Sequence, residues 1–523
     1  MFISFVQARA SVYNIKEYGA TGNGKTLDSP AINKAIEEAA TEGGGTVYLP
    51  AGKYLSVSIR LKSNITLYLE QGAKIIAASP KEGYKCDLRE ENPSDMYQDF
   101  GHTYFHNSLI WGENLENVSI IGPGIIDGAG LVREGKESRS GEKEDSLKYL
   151  PPKGKKVGPF GYPNASDLVE AGWGNKAIAL KLCHNVTIKD LTILHGGHFA
   201  ILVTGVDNLT INNLLIDTNR DGIDIDCCNN VRVSDCSVNS PRDDGICLKS
   251  SYALGYLKPT ENVTITNCMV SGYSEYSLFN GTYVKDSAGT PATGRIKLGT
   301  EANGGFKNIT ISNCVFDYCR GLAVEEVDGG FLEDVTITNI TMRDITNSPI
   351  FIRLGSRNRG PGGTRTGQVS RIIISNIVVY GANPKYCSLI SGMPGHIIKD
   401  IRLDNIKLYY TGGGLKAMAF IQPPEVENGY PEPDRFGTMP SYGFFIRHVA
   451  GLQMSNMEVN YIKPDARPPF LLEDVKNSEF SFIKADKEEG IPTFKLKNVT
   501  DFETFKCKHI QDVHLSYEKQ KEL

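Results

Sequence analysis

The chain has 523 residues, 40% of them hydrophobic and 22% charged, with 56 basic against 61 acidic side chains and a formal net charge of −5. Those values exclude a disordered chain, and the near-even charge balance excludes the general polyanion-binding surface of nucleic-acid proteins. No run of about 18 apolar residues occurs, so no membrane span is expected.

Residues 1–10 (MFISFVQARA) start apolar and end small-x-small before Ser11. They read as the remnant of an export signal, too short for a whole one and lacking a basic n-region. From residue 11 to 523 no linker composition occurs, and one domain is expected. Asp28-Ser29-Pro30 is a helix start signal, followed at helical spacing by Ala31, Ile32, Ala35, Ile36 and Ala39. Residues 43–54 (GGGTVYLPAGKY) then lead into strands.

Most of the remaining sequence is repetitive. The tetrapeptide Asn-apolar-Thr/Ser-apolar recurs at Asn64, Asn117, Asn185, Asn208, Asn262 and Asn308, with variants at Asn230 and Asp334. Asn185, Asn208 and Asn230 are 23 and 22 residues apart, and several copies run on into a second short strand after Cys236, Cys268 or Cys314. Short β-branched strands with period-2 alternation, repeated every 22 to 26 residues, describe a right-handed parallel β-helix with three strands per coil. At such positions Asn is a stacked turn residue rather than a glycosylation acceptor. The three cysteines are an inward stack of small apolar side chains. With 11 Cys and no C-x-x-C pair, neither a disulfide framework nor a metal site is expected. The N-terminal helix caps one open end of the solenoid. Loops interrupt the repeat at 128–176, 252–260, 272–293, 355–369 and 411–441.

Two successive coils carry matched pentapeptides, Asp221-Gly-Ile-Asp-Ile and Asp244-Gly-Ile-Cys-Leu, 23 residues apart. Equivalent positions on successive coils lie about 4.8 Å apart, so Asp221 and Asp244 stack on one wall with Asp243 beside them. Three carboxylates that close repel one another, and at least one keeps its proton near neutral pH. A protonated acid beside an ionised base is what glycoside hydrolysis needs. Asp-Gly alone also suits a Ca²⁺ site or a polar turn ladder. Asp-Asp-Gly in register with Asn-x-Asp-Gly favours catalysis.

The stretches Asn219-Arg-Asp221-Gly-Ile-Asp-Ile and Arg242-Asp243-Asp244-Gly-Ile-Cys-Leu-Lys249-Ser250, with the opening Tyr18-Gly-Ala-Thr-Gly-Asn-Gly, closely resemble motifs of the polygalacturonase family, glycoside hydrolase family 28. The likeness extends over essentially the whole chain and points to the rhamnogalacturonan and exo-galacturonidase branch. It implies an all-β, single-stranded, right-handed parallel β-helix of the pectin-lyase-like kind. It also implies inverting hydrolysis of α-galacturonosyl bonds with no cofactor and no metal. By the same resemblance Asp243 is the general acid, Asp221 and Asp244 activate water, and Asn219 positions the site. The expected partner is a pectic polysaccharide or oligosaccharide, the expected assembly a monomer, and the expected location periplasmic or secreted. A Ca²⁺-dependent polysaccharide lyase and a non-catalytic carbohydrate-binding β-helix are the competing readings.

Two coils depart from the family pattern. The histidine of Gly-His-Gly falls on Gly294, and Arg-Ile-Lys falls on Ala323 and Glu325. Arg295-Ile-Lys297 has the same letters but belongs by register to the preceding coil. Ala and Glu in place of carboxylate-binding cations predict a leaving-group subsite for a neutral sugar such as rhamnose. Galacturonate then sits on the scissile side, held by Arg295, Lys297 or Arg353, with Arg357 and Arg359 as further cations. Lys249 is another substrate-binding candidate. His198, one coil before Asp221, is a candidate to stand in for the missing histidine, and Tyr252, Tyr256 and Tyr273 flank the cleft. The insertion between Asp244 and Gly294, together with the 128–176 loop, is expected to close one end of the cleft and favour exo-action.

Overall fold

The computed structural model describes residues 11–98, 101–133, 136–137, 171–285 and 291–523. Its coils follow the sequence repeat. Strands Lys176–Lys181, His184–Lys189 and Thr192–Leu194 make one coil, and Phe199–Thr204, Asp207–Asn212 and Leu215–Asp217 make the next. Each strand pairs in parallel with its equivalent on the adjoining coil. Inward positions stack like on like: Ile178, Ile201, Ile223, Ile246 and Ile296 form one fully buried column. Burying each such side chain stabilises the fold by roughly 1.5–3 kcal/mol. One continuous apolar core runs from Tyr13 to Cys507.

The turns explain the repeated asparagine. Asn185, Asn208 and Asn230 have φ of 57°, 58° and 57°, a left-handed conformation that Asn tolerates better than most residues. Each side-chain amide also donates to the asparagine one coil earlier: Asn117 to Asn64 at 2.8 Å, Asn185 to Asn117 at 3.0 Å, Asn208 to Asn185 at 3.1 Å and Asn230 to Asn208 at 3.3 Å. Cys236, Cys268 and Cys314 are buried neighbours on successive coils, and all eleven cysteines are thiols.

Both ends are covered. The helix Ser29–Thr41 lays Ile32, Ala35, Ile36 and Ala39 over the first coils. Asp28 does not cap that helix with its side chain; its carboxylate accepts instead from the backbone N–H of Thr21 at 2.6 Å and of Gly22 at 3.1 Å. At the far end Val513–Glu522 lies antiparallel on Phe494–Phe505, a closure the parallel repeat does not predict. No helix among the described residues is long and apolar enough to cross a membrane. The export remnant at 1–10, and residues 138–170 of the 128–176 loop, lie outside the described residues.

Candidate active site

One sheet of the solenoid carries the chemistry, because its outward positions fall in two columns. The first runs Trp111, Ala179, Leu202, Asp224, Cys247, Lys297, Ala323 and Phe351. The second holds Lys181, Thr204, Asp226 and Lys249, then, past a register shift after Leu248, Glu325, Arg353, Ser391 and Arg447. Lys297 therefore shares a column with Asp224, and Glu325 shares one with Arg353.

The aspartates enter this sheet from its leading edge. Phe199 is the register partner of Asp221, and Gly222 N–H donates to the Asp244 carbonyl at 3.0 Å, so Asp221 and Asp244 sit on adjacent coils. His198, Asp221 and Asp243 bring polar atoms within 4.8 Å of one another. Asp221 and Asp244 are nearly enclosed, whereas the Asp243 side chain is 26% exposed.

Neighbouring carboxyls here are pushed in opposite directions. Burial, then the charges of Asp224 and Asp243, raise Asp221 well above the usual carboxylate range. Burial would also raise Asp244, but Lys297 at 3.3 Å and Arg295 at 2.9 Å overcome it and hold Asp244 well below that range. The Nε2 of His198 is 3.7 Å from Asp221. Burial, then the charge of Arg220, keep that imidazole neutral near pH 7. Arg220 lies 2.9 Å from Asp243. The Oδ1 of Asn219 is buried and accepts no hydrogen bond among the described residues. His198, Asp221 and Asp243 are also the one trio among the described residues spaced to hold a metal ion, although Arg220 already supplies positive charge there.

The cations divide. Arg295 and Lys297 reach the site but are neutralised in it: Arg295 pairs with Asp244 and Glu432, and Lys297 with Asp244 and, at 3.7 Å, Glu325. Lys249 is not free for substrate, since it is buried between Glu301 at 3.1 Å and Asp224 at 3.6 Å. Arg353 faces no cleft at all. Its column points outward as expected, but residues 413–443 fold over it and its guanidinium donates to the Ser391 hydroxyl and to the carbonyls of Gly392, Glu425 and Val426. Arg357 and Arg359 turn to Glu301, and Arg357 also to Asp328. Tyr273 is buried with its hydroxyl on Asp317 at 2.8 Å.

Three participants escape sequence reading. His102 reaches Asp224 at 3.3 Å, Tyr430 accepts from Lys297 at 3.2 Å, and Glu432 caps Arg295. None stands in register with its partner, so no spacing announces it.

Residues 12–120 match a family model described as rhamnogalacturonase A/epimerase, pectate lyase-like, and residues 169–262 match a right-handed β-helix region. A probable polygalacturonase of Vitis vinifera is 26% identical over 355 residues, 65% of this chain and 62% of that protein. An exo-poly-α-D-galacturonosidase of Dickeya chrysanthemi is 26% identical over 434 residues, 73% of this chain and 69% of that protein. The solved family 28 exopolygalacturonase of Yersinia enterocolitica superposes with a TM-score of 0.64 at 21% identity, over 90% of this chain and 79% of that one. The chain is similar to polygalacturonases of glycoside hydrolase family 28 and shares their right-handed parallel β-helix.

The position where the family 28 pattern has a histidine is closed here for a steric reason. Gly294 has φ of +54°, and a Cβ there would collide with the Ser271 carbonyl oxygen. No side chain fits at 294, and the imidazoles beside the aspartates are those of His198, 3.7 Å from Asp221, and His102, 3.3 Å from Asp224.

Proposed function

We propose that the chain is a pectin-directed glycoside hydrolase that cleaves an α-galacturonosyl bond with inversion, working from a chain end. The observation that carries this reading is the gathering of Asp221 and Asp243 within 4.8 Å of each other beside Asp244, with burial pushing Asp221 up, Lys297 and Arg295 holding Asp244 down, and Asp243 the most open of the three. The proton stored on Asp221 lies within 4.8 Å of Asp243. Passed to Asp243, it is delivered to the glycosidic oxygen as the bond breaks. Asp221, then ionised, and Asp244 take the proton of the attacking water, while Asn219 and His198 position sugar and water.

The names of the relatives support both substrate and mode: a probable polygalacturonase, an exo-poly-α-D-galacturonosidase and an exopolygalacturonase. Inversion rests on Asp244, one coil along and ionised, as the water's base. The Asp221–Asp243 approach taken alone is nearer the roughly 5–5.5 Å of retaining enzymes than the roughly 6.5–9.5 Å of inverting ones. The deciding experiment incubates the protein with polygalacturonate and with rhamnogalacturonan backbone and follows the first products by NMR. Small sugars of inverted anomeric configuration from the start of the reaction are expected. Retained configuration removes the water-base role of Asp244, early mixtures of long oligomers remove the exo mode, and unsaturated ultraviolet-absorbing products replace the hydrolase with a lyase.

A further inference from the structure

Residues 413–443 leave one coil, cross back along the solenoid and return to the catalytic wall, where Glu432 meets Arg295 across 137 positions of sequence. Three buried arginines hold this strap from beneath. Arg353 donates to the carbonyls of Glu425 at 2.9 Å and Val426 at 3.0 Å, Arg447 to those of Pro423 at 3.1 Å and Pro424, and Arg467 to that of Met439 at 3.1 Å. Phe436 of the strap packs against the guanidinium groups of Arg353 and Arg447, 5.3 and 5.5 Å from its ring centre.

The anchored strap delivers a carboxylate. Glu432 accepts from both Nη atoms of Arg295, one of them at 3.3 Å, and pairs ionically with Arg320 at 2.9 Å. Such a fork of guanidinium donors is the arrangement that recognises a planar carboxylate, and here the chain's own glutamate fills it. Around Asp244, the cations Arg295, Lys297 and Arg320 therefore face the carboxyls Asp244, Glu432 and Glu325. Glu325 is fully buried, and its Oε1 has no hydrogen-bond partner among the described residues. Asp244 and Glu432 already occupy Arg295 and Arg320, whereas burial pushes Glu325 up to about 7, so that it offsets Lys297 only in part near neutral pH.

We infer that strap-borne Glu432 is a specificity-determining residue: the carboxylate position of Arg295 and Arg320, which the sequence alone assigns to the scissile side, borders the leaving-group subsite, and by occupying it Glu432 makes that subsite accept a neutral sugar and reject a uronate. The inference rests on the proposed hydrolase reading and deepens it, since the substrate class becomes a backbone alternating galacturonate with a neutral sugar. It also joins two observations that are separate in sequence, the Ala323 and Glu325 substitutions and the distant strap.

The test compares kcat/KM for two short oligosaccharides with a terminal galacturonosyl residue, one linked to rhamnose and one to galacturonate. The wild type is expected to prefer the rhamnose-linked substrate by roughly tenfold or more. Glu432→Gln keeps the shape of the contact and removes its charge. It is expected to shift the ratio toward the galacturonate-linked substrate by a further roughly tenfold, chiefly through KM. A folded Glu432→Gln protein with an unmoved ratio, or a wild type that prefers the galacturonate-linked substrate, overturns the inference. If the variant does not fold, the wild type alone decides on substrates whose leaving galacturonate is free or methyl-esterified. Faster cleavage of the neutral ester supports the filter, and faster cleavage of the acid overturns it. Inactivity on every pectic oligosaccharide removes the hydrolase reading and this inference together, whereas activity with an unmoved ratio removes this inference alone.

Discussion

Replacing Arg353 separates a substrate ligand from a structural clamp. Methionine keeps much of the side-chain volume and removes every donor. The arginine makes two bonds to strap carbonyls, at 2.9 and 3.0 Å, and two more at 2.9 Å to the Ser391 hydroxyl and the Gly392 carbonyl. Hydrogen bonds from a charged donor contribute about 1.5–3 kcal/mol each, so the two strap bonds together contribute roughly 3–6 kcal/mol to docking. The coils beneath have their own parallel ladders and isoleucine columns and do not depend on this contact. Arg353→Met is therefore expected to release the strap without unfolding the solenoid. Hydrogen exchange followed by mass spectrometry reads this directly: amides around 423–432 lose protection by roughly 10²–10⁴-fold, while the column through Ile223 and Ile246 stays protected. Activity falls with it, because Tyr430 and Glu432 leave Lys297 and Arg295. Unchanged protection of the strap accompanied by a raised KM refutes the clamp and restores Arg353 to the substrate.

Other substitutions probe the site by different routes. Asp221 has a raised folded-state pKa, so its contribution favours folding while the carboxyl is protonated and is lost as pH rises from the ordinary carboxylate range through the folded value. Asp221→Asn is expected to lose turnover and yet to melt higher than wild type at about pH 8, with the gap closing near pH 4; each tenfold change in proton affinity between the folded and unfolded chain contributes about 1.4 kcal/mol to it. A gap independent of pH refutes the assignment. Asp244 has a depressed folded-state pKa, and its stabilisation is present above the ordinary range and lost on acidification. Asp244→Asn strips a counter-charge from buried Arg295 and Lys297 and is expected to cost about 3–5 kcal/mol in denaturant titrations at neutral pH; a cost under about 1 kcal/mol contradicts the pairing. Gly294→Ala meets a left-handed φ of +54° and a carbonyl oxygen in the space of the new Cβ. Its loss should exceed the roughly 1–2 kcal/mol of left-handed strain alone, and an unchanged melting temperature contradicts the backbone described.

The fold is legible in the sequence because a solenoid converts spacing into proximity. Asn185, Asn208 and Asn230 stand one coil apart, and the same arithmetic carries Asp221 onto Asp244 and assigns Lys297 to the column of Asp224. The charge states of the aspartates are only half legible. Repulsion among three carboxyls implies that one keeps a proton, but Asp221 is selected by its burial and by Asp224, while Asp244 is kept ionised by Arg295 and Lys297. Arg353 misleads for a related reason. Its outward column follows from the register, but what lies over that column is set by Glu425 and Val426, more than seventy positions away. His102 likewise meets Asp224 from a segment that precedes the regular coils by no fixed interval. Contacts made along the repeat can be counted from sequence; contacts made across it cannot.

In a solenoid each unit touches its immediate neighbours, so a local defect ordinarily spreads only from one turn to the next. The bridge formed by residues 413–443 gives this molecule a second route. A lesion at Arg447 or Arg467, several turns beyond the aspartates, reaches Arg295 directly while the intervening turns stay intact. The distal third of the molecule therefore forms one wall of the candidate site, and its integrity bears on the arginine that keeps Asp244 ionised.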